Sequence, residues 1–157
     1  MQENTLEMLH QDGVLTFKLV KGGYCIDDNY LSIFAKCKNI DSDSYPDIAW
    51  FQIRHCSING SLMVGSCFAC EGGLLIDEAE FDEEELTLEL TPTASAYFGF
   101  HPQFVNLKFT VTEIRGTTIV FKLEAEHDDT NYYDSRAKPC TSRGVFVLNT
   151  ISSKELW

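Results

Sequence analysis

Apolar and polar residues alternate along much of this chain, and that period of two residues restricts the fold more than any other feature. Two stretches show it most clearly, and their apolar positions are Leu15, Phe17 and Leu19 in the first and Leu31, Ile33, Ala35 and Cys37 in the second. Successive side chains of a strand point to opposite faces of a sheet. The alternation therefore predicts strands with one buried face.

Further alternating stretches follow later in the chain. They include Leu86–Leu90 and Arg143–Ile151, while the Asp, Ser and Pro content of 41–47 predicts a loop. Only the first 12 residues are compatible with a short helix. About eight strands, several of them joined as hairpins, predict a mainly β domain: a largely antiparallel β-sandwich or a partly open barrel with little helix.

The dipeptide Asn59-Gly60 is the strongest short-range hairpin signal in the sequence. A two-residue turn at this point would pair the strand before it with the strand after it. One face of that hairpin would be apolar and is expected in the core, and it would comprise Ala49, Phe51, Ile53 and His55 with Val64, Ser66, Phe68 and Cys70.

A second hairpin is predicted around Gly116. A three-residue loop, 114–116, makes the apolar faces of its two strands coincide, with Gly116 in the left-handed conformation. The predicted pairs are Val111 with Ile119, Phe109 with Phe121 and Leu107 with Leu123.

Length and composition indicate a single domain over residues 1–157. A chain of this size buries roughly 70% of the surface that its unfolded form exposes, so it needs no disulfide to fold. The first residues lack the basic and apolar regions of a secretory signal, and no apolar run is long enough to span a bilayer. We therefore expect a cytoplasmic protein whose six Cys are free thiols, and the alternative is an extracellular protein with three disulfides.

Negative charge is concentrated in one part of the chain. The net charge is −12, and residues 55–107 contain nine acidic residues but no Lys or Arg. Seven of the nine residues from Asp77 to Glu85 are carboxylates, namely Asp77, Glu78, Glu80, Asp82, Glu83, Glu84 and Glu85. Coulomb repulsion disfavours direct binding to nucleic acid or an anionic membrane, and the same charge favours a basic protein. The alternative is a solvated edge that prevents self-association.

Candidate metal and catalytic groups lack a consistent arrangement. Cys67 and Cys70 form a single C-x-x-C pair, but residues separated by three point to opposite faces of a regular strand. Cys140, with His101 or His127 as its base, is a candidate nucleophile, yet nearby acids would raise its pKa and oppose thiolate formation. We expect no catalytic residues, no metal site and no cofactor.

A second acidic cluster surrounds two adjacent tyrosines, and its members are Asp128, Asp129, Tyr132, Tyr133 and Asp134. Tyrosine is a common anchor of protein interfaces, so this segment is a second candidate contact. Oxygen ligands from Glu126 and the same aspartates could instead hold calcium in a ligand-binding β-sandwich module, although the spacing fits no EF-hand loop. Calorimetry with calcium and with zinc distinguishes the two interpretations.

In profile, the chain resembles the bacterial immunity proteins of contact-dependent growth inhibition and related polymorphic toxin systems. The resemblance rests on the stretches IDEAEFDEEEL (76–86) and EAEHDDTNYYD (124–134) and on the lack of catalytic motifs. It implies a cytoplasmic inhibitor, not an enzyme, that binds a cognate toxin domain, often a nuclease, and covers its active site or an adjacent surface. The candidate contact residues remain the acidic residues and tyrosines named above.

Overall fold

The structure is a computed structural model, and it describes residues 1–10, 13–41, 43, 46–58, 60–71, 93–97, 104–128, 139–152 and 154. These residues form nine strands and include no helix. The strands are β1 (Thr5–His10), β2 (Gly13–Asp27), β3 (Tyr30–Asn39), β4 (Ile48–Ser57), β5 (Cys67–Glu71), β6 (Thr93–Tyr97), β7 (Phe104–Arg115), β8 (Thr118–Asp128) and β9 (Pro139–Asn149).

All nine strands belong to one antiparallel sheet, which curls into a half-barrel. Their order across the sheet is β5-β7-β8-β9-β1-β2-β3-β4-β6, so that β5 and β6 are the outermost strands of the described part. The predicted mainly β class is confirmed, and the architecture is the partly open barrel.

The curl brings distant strands together over a shared core. In a flat sheet, β4 and β8 would lie about 24 Å apart, because five strand spacings separate them. The rings of Phe51 on β4 and His127 on β8 are instead 6.2 Å apart. The largest fully buried side chains all lie in this core: Phe17, Phe51, Phe109, Phe121, Phe146, Leu6, Met8, Leu31, Ile33, Ile53 and Leu107. The sheet thus buries its concave face against itself.

The short N-terminal helix with which the sequence is compatible does not form, because residues 5–10 form β1 at the centre of the sheet. Leu, Glu and Met are good helix formers, but Leu6 and Met8 are both fully buried at strand spacing. β1 pairs with β9 on one side and β2 on the other. Pairing on both sides and burial of alternate residues outweigh local helix propensity here.

The hairpin predicted at Asn59-Gly60 is also wrong. β4 pairs with β3 and β6, whereas β5 pairs with β7 near the opposite end of the sheet. Residues between β4 and β5 therefore cross from one side of the half-barrel to the other. The Ile58 amide donates to the carbonyl of Asn29, and the Gly65 amide donates to that of Val111. These long-range bonds replace the local turn.

The faces predicted for that hairpin were partly correct. Ala49, Phe51 and Ile53 are fully buried, and Phe68 is 9% exposed. Val64, in contrast, is 65% exposed because it lies in the crossing segment and not in a strand. Alternation thus identified the buried side of each strand but not the strand that pairs with it.

The second hairpin exists as β7 and β8, with its register displaced by two residues. Phe109 faces Leu123 and Val111 faces Phe121, and the turn residues are Gly116 and Thr117. Gly116 adopts a φ of 65°, as predicted for a left-handed glycine. A bulge at Thr112 restores the alignment of the apolar faces after the tighter turn.

The remaining strand predictions have different outcomes. The alternating positions of β2 and β3 point inward as expected, with Leu31, Ile33, Ala35 and Cys37 all fully buried. The last strand begins earlier than predicted, at Pro139, and ends at Asn149. The predicted strand Leu86–Leu90 lies outside the described residues.

Gly144 provides a test of packing inside the half-barrel. A Cβ atom at this position would lie 2.7 Å from Cζ and 2.9 Å from Cε2 of Phe146. We expect Gly144→Ala to lower the free energy of unfolding by about 1–3 kcal/mol, as overpacking does. Thr141→Ala, at an exposed position on the same strand, is the control and should be nearly neutral.

A double-mutant cycle in urea denaturation tests the cause. Phe146→Leu removes the two ring atoms that the new methyl group would meet, so Gly144→Ala should cost less in that background. An equal cost in both backgrounds would show that the ring is not what constrains this position.

Candidate partner-binding surface

The predicted contact residues fall in two segments, and only Asp128 is among the described residues. It is the last residue of β8 and pairs with Pro139 at the start of β9. The other predicted contacts lie outside the described residues: Asp77, Glu78, Glu80, Asp82, Glu83, Glu84, Glu85, Asp129, Tyr132, Tyr133 and Asp134.

The described strands nevertheless fix where the acidic segment starts and ends. β5 ends at Glu71 and β6 begins at Thr93. These strands stand at opposite ends of the strand order, so the chain from 72 to 92 joins the two outermost strands of the half-barrel. This segment contains all seven carboxylates of the stretch 77–85.

Charge is distributed unevenly between the described framework and the rest of the chain. The described residues include ten Lys and Arg and twelve Asp and Glu, a net charge of −2. The chain as a whole carries −12, so the remaining residues carry −10. Eight acidic residues lie between 72 and 92 with no Lys or Arg among them. The described part of the chain is therefore almost neutral, and the excess charge belongs chiefly to the segment that joins the outermost strands of the sheet.

Ion pairs balance the charges on the convex face of the sheet. Glu124 on β8 accepts from Lys108 at 3.0 Å and from Lys122 at 2.8 Å. Hydrogen bonds from these two lysines lower the pKa of the Glu124 carboxyl, with Lys122 the larger contributor. Arg143 on β9 lies 2.8 Å from Glu7 on β1. Because these side chains are partly exposed, each pair contributes little to stability.

A second ion-pair group lies at the β7–β8 turn. Arg115 contacts Glu113 at 2.8 Å and Glu3 at 2.9 Å. The hydrogen bond from Arg115 lowers the pKa of Glu113, and the bonds to both glutamates raise the pKa of Arg115. Both carboxylates are therefore paired with Arg115.

An open groove of about 1000 Å³ runs along the same convex face. Its charged lining residues are Lys108, Lys122, Arg143, Glu7, Glu124 and Glu126, three of each sign. Such a groove has no net attraction for a ligand of either charge.

The described residues contain no group of three or more His, Cys, Asp or Glu that could hold a metal ion. Cys67 is exposed, and the side chain of Cys70 lies outside the description. Cys25, Cys37, Cys56, Cys67 and Cys140 are free thiols. Burial raises the pKa of Cys37 to about 12, so this thiol stays protonated at neutral pH.

Cys140 and His127 lie opposite each other in the β8–β9 register, but both face the core. The Cys140 thiol donates to the carbonyl of Leu9 at 2.9 Å. The His127 ring lies 2.7 Å, Nε2 to Oγ, from Ser142, and both residues are only 2% exposed. Such burial keeps a substrate away from both groups in this conformation.

Sequence reasoning missed a bulge in β4, where Arg54 and His55 together face Ser32 of β3. His55 has a φ of 59°, a conformation that is uncommon outside glycine. Its amide donates to the Oγ of Ser32 at 3.3 Å. Because of the bulge, Cys56 points into the core, at 4% exposure, and His55 does not, which corrects the predicted core face. No local motif marks this bulge.

The comparisons with known proteins yielded no relatives: no protein-family model, curated protein or solved structure matches this chain. The described part of the chain contains no helix long and apolar enough to cross a membrane.

The position of His55 in the bulge leads to a prediction about how stability depends on pH. Burial, and secondarily the charge of Arg54, lower the pKa of His55 below its usual value. As pH falls through 6.5, the usual His value, the unfolded chain takes up a proton that the folded chain resists, so stability decreases until the lower folded pKa is passed. Urea denaturation at pH 7.5 and at stepwise lower pH measures this loss.

His55→Asn is the matched variant, because Asn tolerates positive φ but does not titrate. We expect it to lose less stability than the wild type over the same pH interval. Equal losses in the two proteins would contradict the assigned role of His55. His55→Val should be destabilised at every pH, because a β-branched residue is strained at this φ.

Proposed function

We propose that this protein is a binding inhibitor of the immunity-protein type, which neutralises a cognate basic toxin domain, of nuclease type, through its acidic surface. One observation carries the proposal: the chain that joins the two outermost strands of a nearly neutral half-barrel carries most of the excess negative charge. The protein acts by occupation of its partner's surface and performs no chemistry of its own.

Self-repulsion makes such a charge distribution costly for the chain. Three carboxylates of the sheet have cationic neighbours, namely Glu7, Glu113 and Glu124. The segment from 72 to 92 has no cation in its own sequence. A cluster of carboxylates without cations in its own sequence is well suited to a partner that brings the balancing charge.

A basic protein is the occupant that this charge favours. Complementary potentials can raise the association rate constant to about 10⁸ M⁻¹s⁻¹ at low salt, and they disfavour acidic competitors. Nuclease domains must attract polyanionic substrates, so their active-site surfaces are basic. An acidic inhibitor can therefore occupy the surface that the substrate would use. Asp128, Asp129, Tyr132, Tyr133 and Asp134 form the second proposed contact.

The genomic neighbourhood supplies the partner for the test. We expect a nearby gene for a large secreted protein that ends in a small basic domain. Association of that purified domain with this protein is then measured by stopped-flow fluorescence over a series of salt concentrations.

Charge reversal tests the acidic segment directly. We expect Glu83→Lys with Glu84→Lys to slow association by about tenfold at low salt and to weaken its salt dependence, because steering acts through these charges. The control is Asp43→Lys with Asp47→Lys, which changes the net charge equally at exposed positions before β4. The control should retain close to the wild-type rate.

An unchanged rate in the Glu83 and Glu84 variant at low salt would contradict the proposal. Equal slowing in both variants would show that net charge, and not the acidic segment, controls association.

A further inference from the structure

β5 is an outermost strand, and the described residues pair it on one side only. Its five residues run antiparallel to β7, from Cys67 opposite Thr110 to Glu71 opposite Asn106. No described strand lies on its other side. An edge of this kind presents backbone donors and acceptors to another chain.

The hydrogen-bond pattern identifies which residues of β5 face that open side. The Val111 amide donates to the carbonyl of Ser66 at 2.8 Å, in the register that β5 continues. Hydrogen-bonded and non-hydrogen-bonded pairs alternate along an antiparallel ladder. Phe68 and Cys70 therefore direct their amides and carbonyls to β7. The backbone groups of Cys67, Ala69 and Glu71 point away from it.

Side chains leave this edge accessible. Cys67 and Ala69 are small and exposed on the convex side, whereas Phe68 is buried on the concave side. Natural edge strands are often protected by lysine, proline or a bulge. From Cys67 to Glu71, β5 has no lysine, no proline and no break in its register with β7.

We propose that β5 accepts an extended segment of the basic partner as an added strand. This inference rests on the proposed function and deepens it, since it assigns a backbone-binding site to the strand that immediately precedes the acidic segment in the sequence. Main-chain hydrogen bonds at an edge give affinity, and alternate side chains give specificity.

Charge selects this occupant over a second copy of the chain. β5 leads at Glu71 directly into the segment that holds eight further carboxylates. Two copies of the chain each carry a net charge of −12, so like-charge repulsion opposes edge-to-edge pairing of two β5 strands. A strand that carries lysine or arginine at alternate positions brings attraction instead. Its intervening apolar side chains would continue the concave face beside Phe68.

The experiment uses the isotope-labelled full chain and a defined probe, a seven-residue peptide of alternating lysine and valine. The control peptide has the same charge, but proline replaces valine, so that it cannot form a ladder. Backbone amide exchange and chemical shifts are recorded by nuclear magnetic resonance at low salt, in the free protein and with each peptide.

In the free protein, we expect the amides of Phe68 and Cys70 to exchange slowly and those of Cys67 and Ala69 rapidly. The lysine–valine peptide should slow exchange at Cys67 and Ala69, and the proline control should not. Ala69→Pro removes an amide that does not bond to β7, and it should weaken binding of the lysine–valine peptide by about tenfold without affecting the control.

Three results would overturn the proposal. Slow exchange at Cys67 and Ala69 in the free protein would show that this chain already covers the edge, through its own residues or, where protection rises with concentration, through a second copy. Equal binding of the two peptides would show attraction by charge alone, which leaves the proposed function intact. No binding of either peptide at low salt also removes the edge site, and the charge-reversal experiment then decides the proposed function separately.

Discussion

Burial of one apolar face by the curl of a single sheet is the constraint on which the rest of the structure depends. No described helix or second sheet covers that face, so the strands must bend until their concave sides meet. The contact of Phe51 with His127, whose strands are five spacings apart in the sheet, shows how far the sheet curls. Residues that interrupt the strand pairing also help the sheet to curl, because bulges such as the one at His55 increase local bending.

A sheet that curls without complete closure keeps two outermost strands, and the acidic segment is the part of the chain that connects them. Natural proteins commonly protect edges with charged residues. Here the segment that joins β5 to β6 carries eight acidic residues, while the framework is nearly neutral. Under the proposed function, the same charge that discourages self-association recruits a basic partner. Stability and recognition are thereby assigned to different parts of the chain.

Alternation in the sequence predicted the β class, the buried faces of β2 and β3, and that of β4 as far as Ile53, because the inward side of a strand depends on local pattern. It did not predict strand neighbours, which depend on contacts distant in sequence. Asn59-Gly60 has the composition of a hairpin turn, yet β4 is already paired on both sides. β1 was missed for a related reason, since good helix formers adopt a central strand when both neighbours pair with it. The acidic stretch could be located by sequence, whereas its attachment to the outermost strands required the topology.

The most direct test asks whether stability and recognition belong to different parts of the chain. It neutralises the acidic segment with side chains of nearly the same shape. All seven carboxylates from Asp77 to Glu85 are replaced by their amides, and both the free energy of unfolding and association with the cognate basic domain are measured. The account predicts a stability equal to or above that of the wild type, because self-repulsion is relieved, together with much slower association. A variant that loses its fold, or that associates at the wild-type rate, would contradict it.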